Sequence, residues 1–115
     1  MLVSVLQAKI HRATVTDADL NYEGSITVDA ELLARAGLVA FQQVQVYNIA
    51  NGQRFETYLM KGVPNTGEIV INGAAARLVA VSDLVIIAAY ALVQPDEAAN
   101  WQPRIVLVDE QNRLR

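Results

Sequence analysis

Three short stretches of this sequence carry groups that could do chemistry if a fold brought them together. The first is Tyr22-Glu23-Gly24-Ser25. A Gly-Ser pair in a loop is ordinarily a flexible turn with a solvated hydroxyl. Its sharper reading is a serine hydroxyl bent back onto the carbonyl that precedes it, which the backbone freedom of glycine would permit. The second stretch is Arg54-Phe55-Glu56-Thr57-Tyr58. Arg54 alternates with Glu56 as on a solvated strand face, yet a guanidinium also grips a carboxylate through two parallel hydrogen bonds. Thr57 and Tyr58 are β-favouring neighbours that point to opposite sides of a strand, so a shared site would need a twist, a bulge or a subunit boundary. The third stretch, Asn72-Gly73-Ala74-Ala75, reads as a turn followed by helix formers. Lys9 interrupts an apolar first strand, and His11 is the only imidazole.

Composition narrows the chemistry. The chain has 115 residues, 53% hydrophobic and 18% charged, with a net charge of −3. That length predicts one domain, spanning 1–115, and the apolar surplus predicts surface buried between subunits. The acidic balance, without any basic run, argues against nucleic acid as a partner. No cysteine is present, which removes thiolate chemistry and suits a cytoplasmic protein. One histidine and no thiol make a zinc or iron site improbable, so no metal is expected. Catalysis here has to use oxygen nucleophiles, carboxylates, Lys, Arg, Tyr or a group that the chain makes for itself. The N-terminus lacks the pattern of a signal peptide. The longest apolar run, Leu84 to Val93, is half of what a bilayer needs, so no membrane span is expected.

The elements that must position these residues are short. Residues 2–14 read as a bent or interrupted strand, 17–24 as a loop, and 26–28 as a brief strand. Asp29 as N-cap, Glu31 in the first turn and Gly37 as the stop predict a helix. Strands on either side of Asn51-Gly52 predict a hairpin with a two-residue turn. Residues 68–71 form another strand, 74–77 one helical turn, 84–93 a buried strand, 95–97 a brief helix, and 104–109 a last strand before a frayed basic tail. Six or seven strands with two or three small helices predict a small, mainly β barrel or sandwich.

Four segments in register carry a resemblance to a known family: Lys9-Ile10-His11-Arg12, Asp19-Leu20-Asn21-Tyr22-Glu23-Gly24-Ser25, Asn51-Gly52-Gln53-Arg54-Phe55-Glu56-Thr57-Tyr58, and Ile71-Asn72-Gly73-Ala74-Ala75-Ala76. In order and spacing they resemble the aspartate 1-decarboxylases along nearly the whole chain. The resemblance implies a small double-psi β-barrel with short helices, and a homotetramer with active sites between subunits. It implies self-cleavage between 24 and 25, giving chains 1–24 and 25–115, with a pyruvoyl group formed from Ser25. It also implies that L-aspartate becomes β-alanine and CO2, for pantothenate and coenzyme A synthesis, through a Schiff base to that group. The chemical logic agrees: an amino acid losing CO2 needs an electron sink, and no encoded side chain offers one.

The same resemblance assigns roles. Ser25 is the cofactor precursor. Gly24, Ser25, Thr57 and Asn72 carry the processing, and Tyr58 is the proton donor, a task within a phenol's reach. Lys9, Arg54, Thr57, Gly73, Ala74 and Ala75 contact substrate, and Tyr22, Tyr47 and Ile86 add wall contacts. Arg54 is expected to hold the carboxylate that stays, because gripping the departing one would stabilise the ground state. His11 suits a hydrogen-bonded structural role as well as a substrate contact. Tyr47 stands where the family often has tryptophan, and Ile26 where it often has a small residue. A maturation factor serves some relatives. Two other readings use the same residues: a non-catalytic small β-barrel for assembly or binding, and a serine hydrolase, which lacks a nucleophile elbow around Ser25.

Overall fold

The computed structural model describes residues 1–115. Its strands are β1 (Val3–Thr14), β2 (Asp17–Asp19), β3 (Ser25–Asp29), β4 (Gln43–Asn48), β5 (Arg54–Gly62), β6 (Ile69–Asn72), β7 (Leu84–Val93) and β8 (Arg104–Leu107). Helix α1 (Ala30–Ala36) follows β3, a 3-10 turn (Gly73–Leu78) follows β6, and α2 (Pro95–Ala98) follows β7. The fold is mainly β with short helices, as expected, and β2 adds a short strand within the stretch expected as a loop.

The strands form one sheet in the order β2-β6-β3-β5-β4-β7-β1-β8. Strands β1 and β2 are nearly continuous in the chain, yet they sit toward opposite ends of that order. Only Val15 and Thr16 separate them, and these residues donate backbone hydrogen bonds to Asp83 and Ile69. The sheet therefore curls around on itself as a barrel does, which leaves few open edges. Its interior is filled by Ile10, Ile26, Val46, Leu59, Ile69, Ile71, Val85 and Ile87, all fully buried. Each such aliphatic side chain contributes about 1.5–3 kcal/mol relative to exposure.

Local chemistry explains the boundaries. The Asp29 carboxylate accepts from Glu31 N–H as the N-cap of α1, and Gly37 closes the helix at φ 71°. Strand β1 shifts register against β7 between Leu6 and Ala8, and again between Ile10 and Ala13. Arg12, in the second irregularity, has φ 60°, so the bend expected of this strand is built from two bulges.

Two expectations change. Asn51-Gly52 is not a two-residue turn. Asn48 N–H donates to Gln53 O, so residues 49–52 form the loop, and only Gly52 has a positive φ. Type I′ geometry needs that conformation at both central residues. Asn51 instead accepts from Gln53 N–H and donates to Leu78 O. Nor is the C-terminal tail frayed. Asn112 is 1% exposed; its amide pairs with both backbone groups of Thr14 and donates to Gly67 O.

Candidate active site

Ser25 opens β3, and three neighbours fix it. It lies opposite Asn72 on antiparallel β6. On the other side Ile26 pairs with Leu59 of parallel β5, so Ser25 and Tyr58, one residue earlier on each strand, face the same side of the sheet. Ser25 is 1% exposed. Asn72 Nδ2 donates to Ser25 Oγ at 3.1 Å and to Thr27 Oγ1 at 3.2 Å, while Ser25 Oγ makes a long contact of 3.5 Å to Glu23 O. The hydroxyl is thus dry, oriented and only weakly engaged as a donor. Thr27 was not singled out from the sequence. Strand alternation carried the signal, because residues 25 and 27 share a face.

The glycine requirement falls on Gly73. Gly24 has no positive φ, and a Cβ added to it would meet nothing within 4 Å. The freedom expected of Gly24 is therefore not used in this conformation. Gly73 has φ 73°, and a Cβ there would lie 2.6 Å from Gly24 Cα and 3.2 Å from Tyr22 O. Its bare backbone lets the Asn72-Gly73 corner press against the bond that precedes Ser25. Ala74 is exposed, whereas Ala75 packs against the core, leaving mainly backbone for a ligand contact there.

The residues fit a keto group made from Ser25. A carbonyl oxygen replacing the hydroxyl would still find the Asn72 N–H as a donor, at a position that is itself 1% exposed.

A second cluster lies on the outward face of the sheet. Arg54, Glu56 and Tyr58 are exposed, and Phe55, Thr57 and Leu59 turn to the other side. Arg54 Cζ sits 3.9 Å from the Tyr47 ring centroid, and the Tyr47 and Tyr90 hydroxyls are 2.7 Å apart. Ile86 pairs with Tyr47 across β4 and β7. Burial, followed by the Tyr90 hydroxyl, holds the Tyr47 phenol above its ordinary pKa against the opposing pull of Arg54. Tyr58 is 36% exposed, its ring stacked on Phe41 at 6.4 Å. Tyr22 is 59% exposed. Lys9, on β1, is in register with Ala88 of β7.

The sequence-predicted residues therefore fall into groups. Gly24, Ser25, Asn72 and Gly73 converge, with Tyr22 contributing backbone. Tyr47, Arg54 and Ile86 adjoin one another, and Lys9 stands beyond β7. Thr57 faces away from Tyr58. Of the two roles open for His11, the hydrogen-bonded one finds no partner at its buried Nδ1 within the chain. His11 borders a separate cavity of about 540 Å³ with Arg12, Asp109, Glu110 and Arg115. Burial, then the charges of Lys9 and Arg12, lower its pKa. No cluster of three or more His, Asp or Glu residues converges as a metal site would. No helix is long and apolar enough to cross a membrane.

Comparison with known proteins identifies the family. A family model described as aspartate decarboxylase matches residues 1–115. A protein of Caldicellulosiruptor bescii named aspartate 1-decarboxylase is 56% identical over 114 residues, covering 99% of this chain and 89% of its own. One of the same name from Campylobacter hominis is 57% identical over 112 residues, covering 97% and 96%. Among solved structures, the rationally designed mkDPBB_sym1 protein overlaps 74% of this chain and 96% of its own at 20% identity, with a TM-score of 0.48. The full-length match and the identities above half show that the chain belongs to the aspartate decarboxylase family.

Proposed function

We propose that this protein is a carboxy-lyase that converts L-aspartate to β-alanine and CO2, using a pyruvoyl group that it makes from Ser25. The observation that carries the reading is the buried Ser25 hydroxyl, held by Asn72 beside a Gly24 that Gly73 presses into place. In the self-processing, Ser25 Oγ attacks the Gly24 carbonyl carbon. The Gly24–Ser25 C–N bond breaks, the hydroxyl proton passes to the freed Ser25 amine, and an ester results. Loss of the Ser25 Cα proton then expels the Gly24 carboxylate, and water replaces nitrogen at position 25 as ammonia leaves. The chains are 1–24 and 25–115. Within the chain Asn72 orients the nucleophile; Thr57 is assigned the Gly24 carbonyl and, afterwards, a substrate contact.

The pyruvoyl ketone supplies the electron sink that the encoded side chains lack. Arg54 holds the carboxylate that remains, Lys9 the second carboxylate contact, and the backbone of Gly73, Ala74 and Ala75 lines the substrate. Tyr58 returns a proton to the carbon that loses CO2. Tyr22, Tyr47 and Ile86 wall the site.

Two features support sites shared between subunits of a homotetramer. Thr57 and Tyr58 face opposite ways on one strand, and Arg54 lies four residues, about 13 Å, along β5 from Tyr58. Apolar side chains stay exposed on the free chain, among them Phe41, Tyr90 and Leu92, as an oligomer interface would require. The barrel takes the double-psi winding, the enzyme works in the cytoplasm and supplies β-alanine for pantothenate synthesis, and a maturation factor assists cleavage where it is slow.

Mass spectrometry of the purified protein tests the central step. Two fragments are expected, with aspartate and borohydride together adding mass to the 25–115 fragment. Ser25→Ala should fold, stay whole and release no CO2. A Ser25→Ala protein that still decarboxylated aspartate would sink the mechanism. An uncut, inactive wild type would favour a non-catalytic barrel.

A further inference from the structure

We propose that Tyr90 is a positioning residue for the substrate cation: its hydroxyl fixes the Tyr47 ring, and that ring fixes the Arg54 guanidinium. This rests on the reading above that Arg54 grips the retained carboxylate. An exposed arginine has many rotamers, and ordering it at the moment of binding weakens affinity. Stacking on a ring face orders it beforehand, while the N–H donors at the guanidinium edge stay free for a carboxylate.

A ring that swings cannot do this, and Tyr47 is braced. Tyr47 pairs with Ile86, and Tyr90 follows four residues later on the same face of β7. The two rings therefore lean toward one another over Ala88, and their hydroxyls meet at 2.7 Å, a full-strength O–H···O separation. Ala88 belongs to this outward row yet is 1% exposed. Its single methyl leaves room beneath the bridge, and a longer side chain would prop the rings apart. The brace depends on a hydroxyl at position 47 and would be lost with phenylalanine there.

The test compares wild type, Tyr90→Phe, Tyr47→Phe and the double variant. It measures self-cleavage by mass spectrometry, kcat and KM for L-aspartate, and calorimetric affinity for succinate, a dicarboxylate without the reacting amine. Losing one neutral hydrogen bond, Tyr90→Phe should raise KM and weaken succinate about fivefold. Cleavage should be complete and kcat should stay within about twofold of wild type. In the Tyr47→Phe background the same change should have no effect on succinate, since that ring has no polar group to brace. Unchanged succinate affinity in Tyr90→Phe, or an equal penalty in both backgrounds, would overturn the proposal. A wild type that binds succinate without decarboxylating aspartate would refute the enzymatic reading, and the succinate comparison would still decide the role of Tyr90.

Discussion

The two halves of the candidate site are built in opposite ways. Around Ser25 the serine, Asn72 and Gly73 are buried, and Asn72 donates to Ser25 and Thr27 at 3.1 and 3.2 Å. Around Arg54 they are exposed and held by a stacked ring and a tyrosine pair at the surface. A reaction of the chain with its own backbone profits from a closed, prearranged geometry, which substitutes for high concentration. A reaction on a diffusing substrate needs an entrance, which the open half offers. On the proposed function, one region makes the group and the other uses it.

Variants can separate the two jobs, beginning with the largest effect. Tyr58→Phe should lower kcat about 100-fold or more, the usual cost of removing a general acid, with both fragments present in full by mass spectrometry. An uncut Tyr58→Phe protein would merge the two regions. Arg54→Ala should raise KM for aspartate about thirtyfold through loss of a charge-assisted pair, again without altering cleavage; a change confined to kcat would contradict the assignment. Gly73→Ala should act on the other half. Its methyl would collide with Gly24 Cα, and a strain of about 1.4 kcal/mol at the reacting bond slows self-cleavage roughly tenfold, read from a time course of fragment appearance.

The smallest effect concerns the scaffold at the end of β3. Burial alone would raise the Asp29 carboxyl, but N–H groups of Gly67, Glu31 and Asn65 outweigh it and hold its pKa below the ordinary 3.8. A depressed carboxyl contributes stability that is fully present above the unfolded value and is lost as pH falls through the folded one. Asp29→Asn would turn an N–H toward the Gly67 N–H and cost about 2 kcal/mol at neutral pH. In denaturant titrations the gap to wild type should close below pH 3.8. A gap independent of pH would assign the loss to packing.

Features set by neighbours in sequence were legible before the fold was known. The caps of α1, the strands around Ser25 and the bend in β1 follow from local backbone chemistry. Asn51-Gly52 misled because Asn51 spends its side chain on Leu78, 27 residues away. The tail looked free because Asn112 finds Thr14 only across 98 residues. At the site, all the residues but Tyr47 and Ile86 came from four matched segments, whereas their division into two halves came from register. The need for glycine at 73 was invisible in the same way: its neighbour is Gly24, far away in the chain. Tyr90 carried no motif at all; its partner is 43 residues distant.

Cleavage after Gly24 would free a fragment that contains all of β1, and β1 is flanked by β7 on one side and β8 on the other. The severed piece would stay wedged in place, so maturation leaves the barrel standing while removing the link that let it form. Folding of the young chain is a first-order event, but reassembly of the matured one needs two molecules to meet and therefore depends on concentration. A matured barrel that unravels in dilute solution has lost its way back, so its lifetime is governed by how slowly it opens.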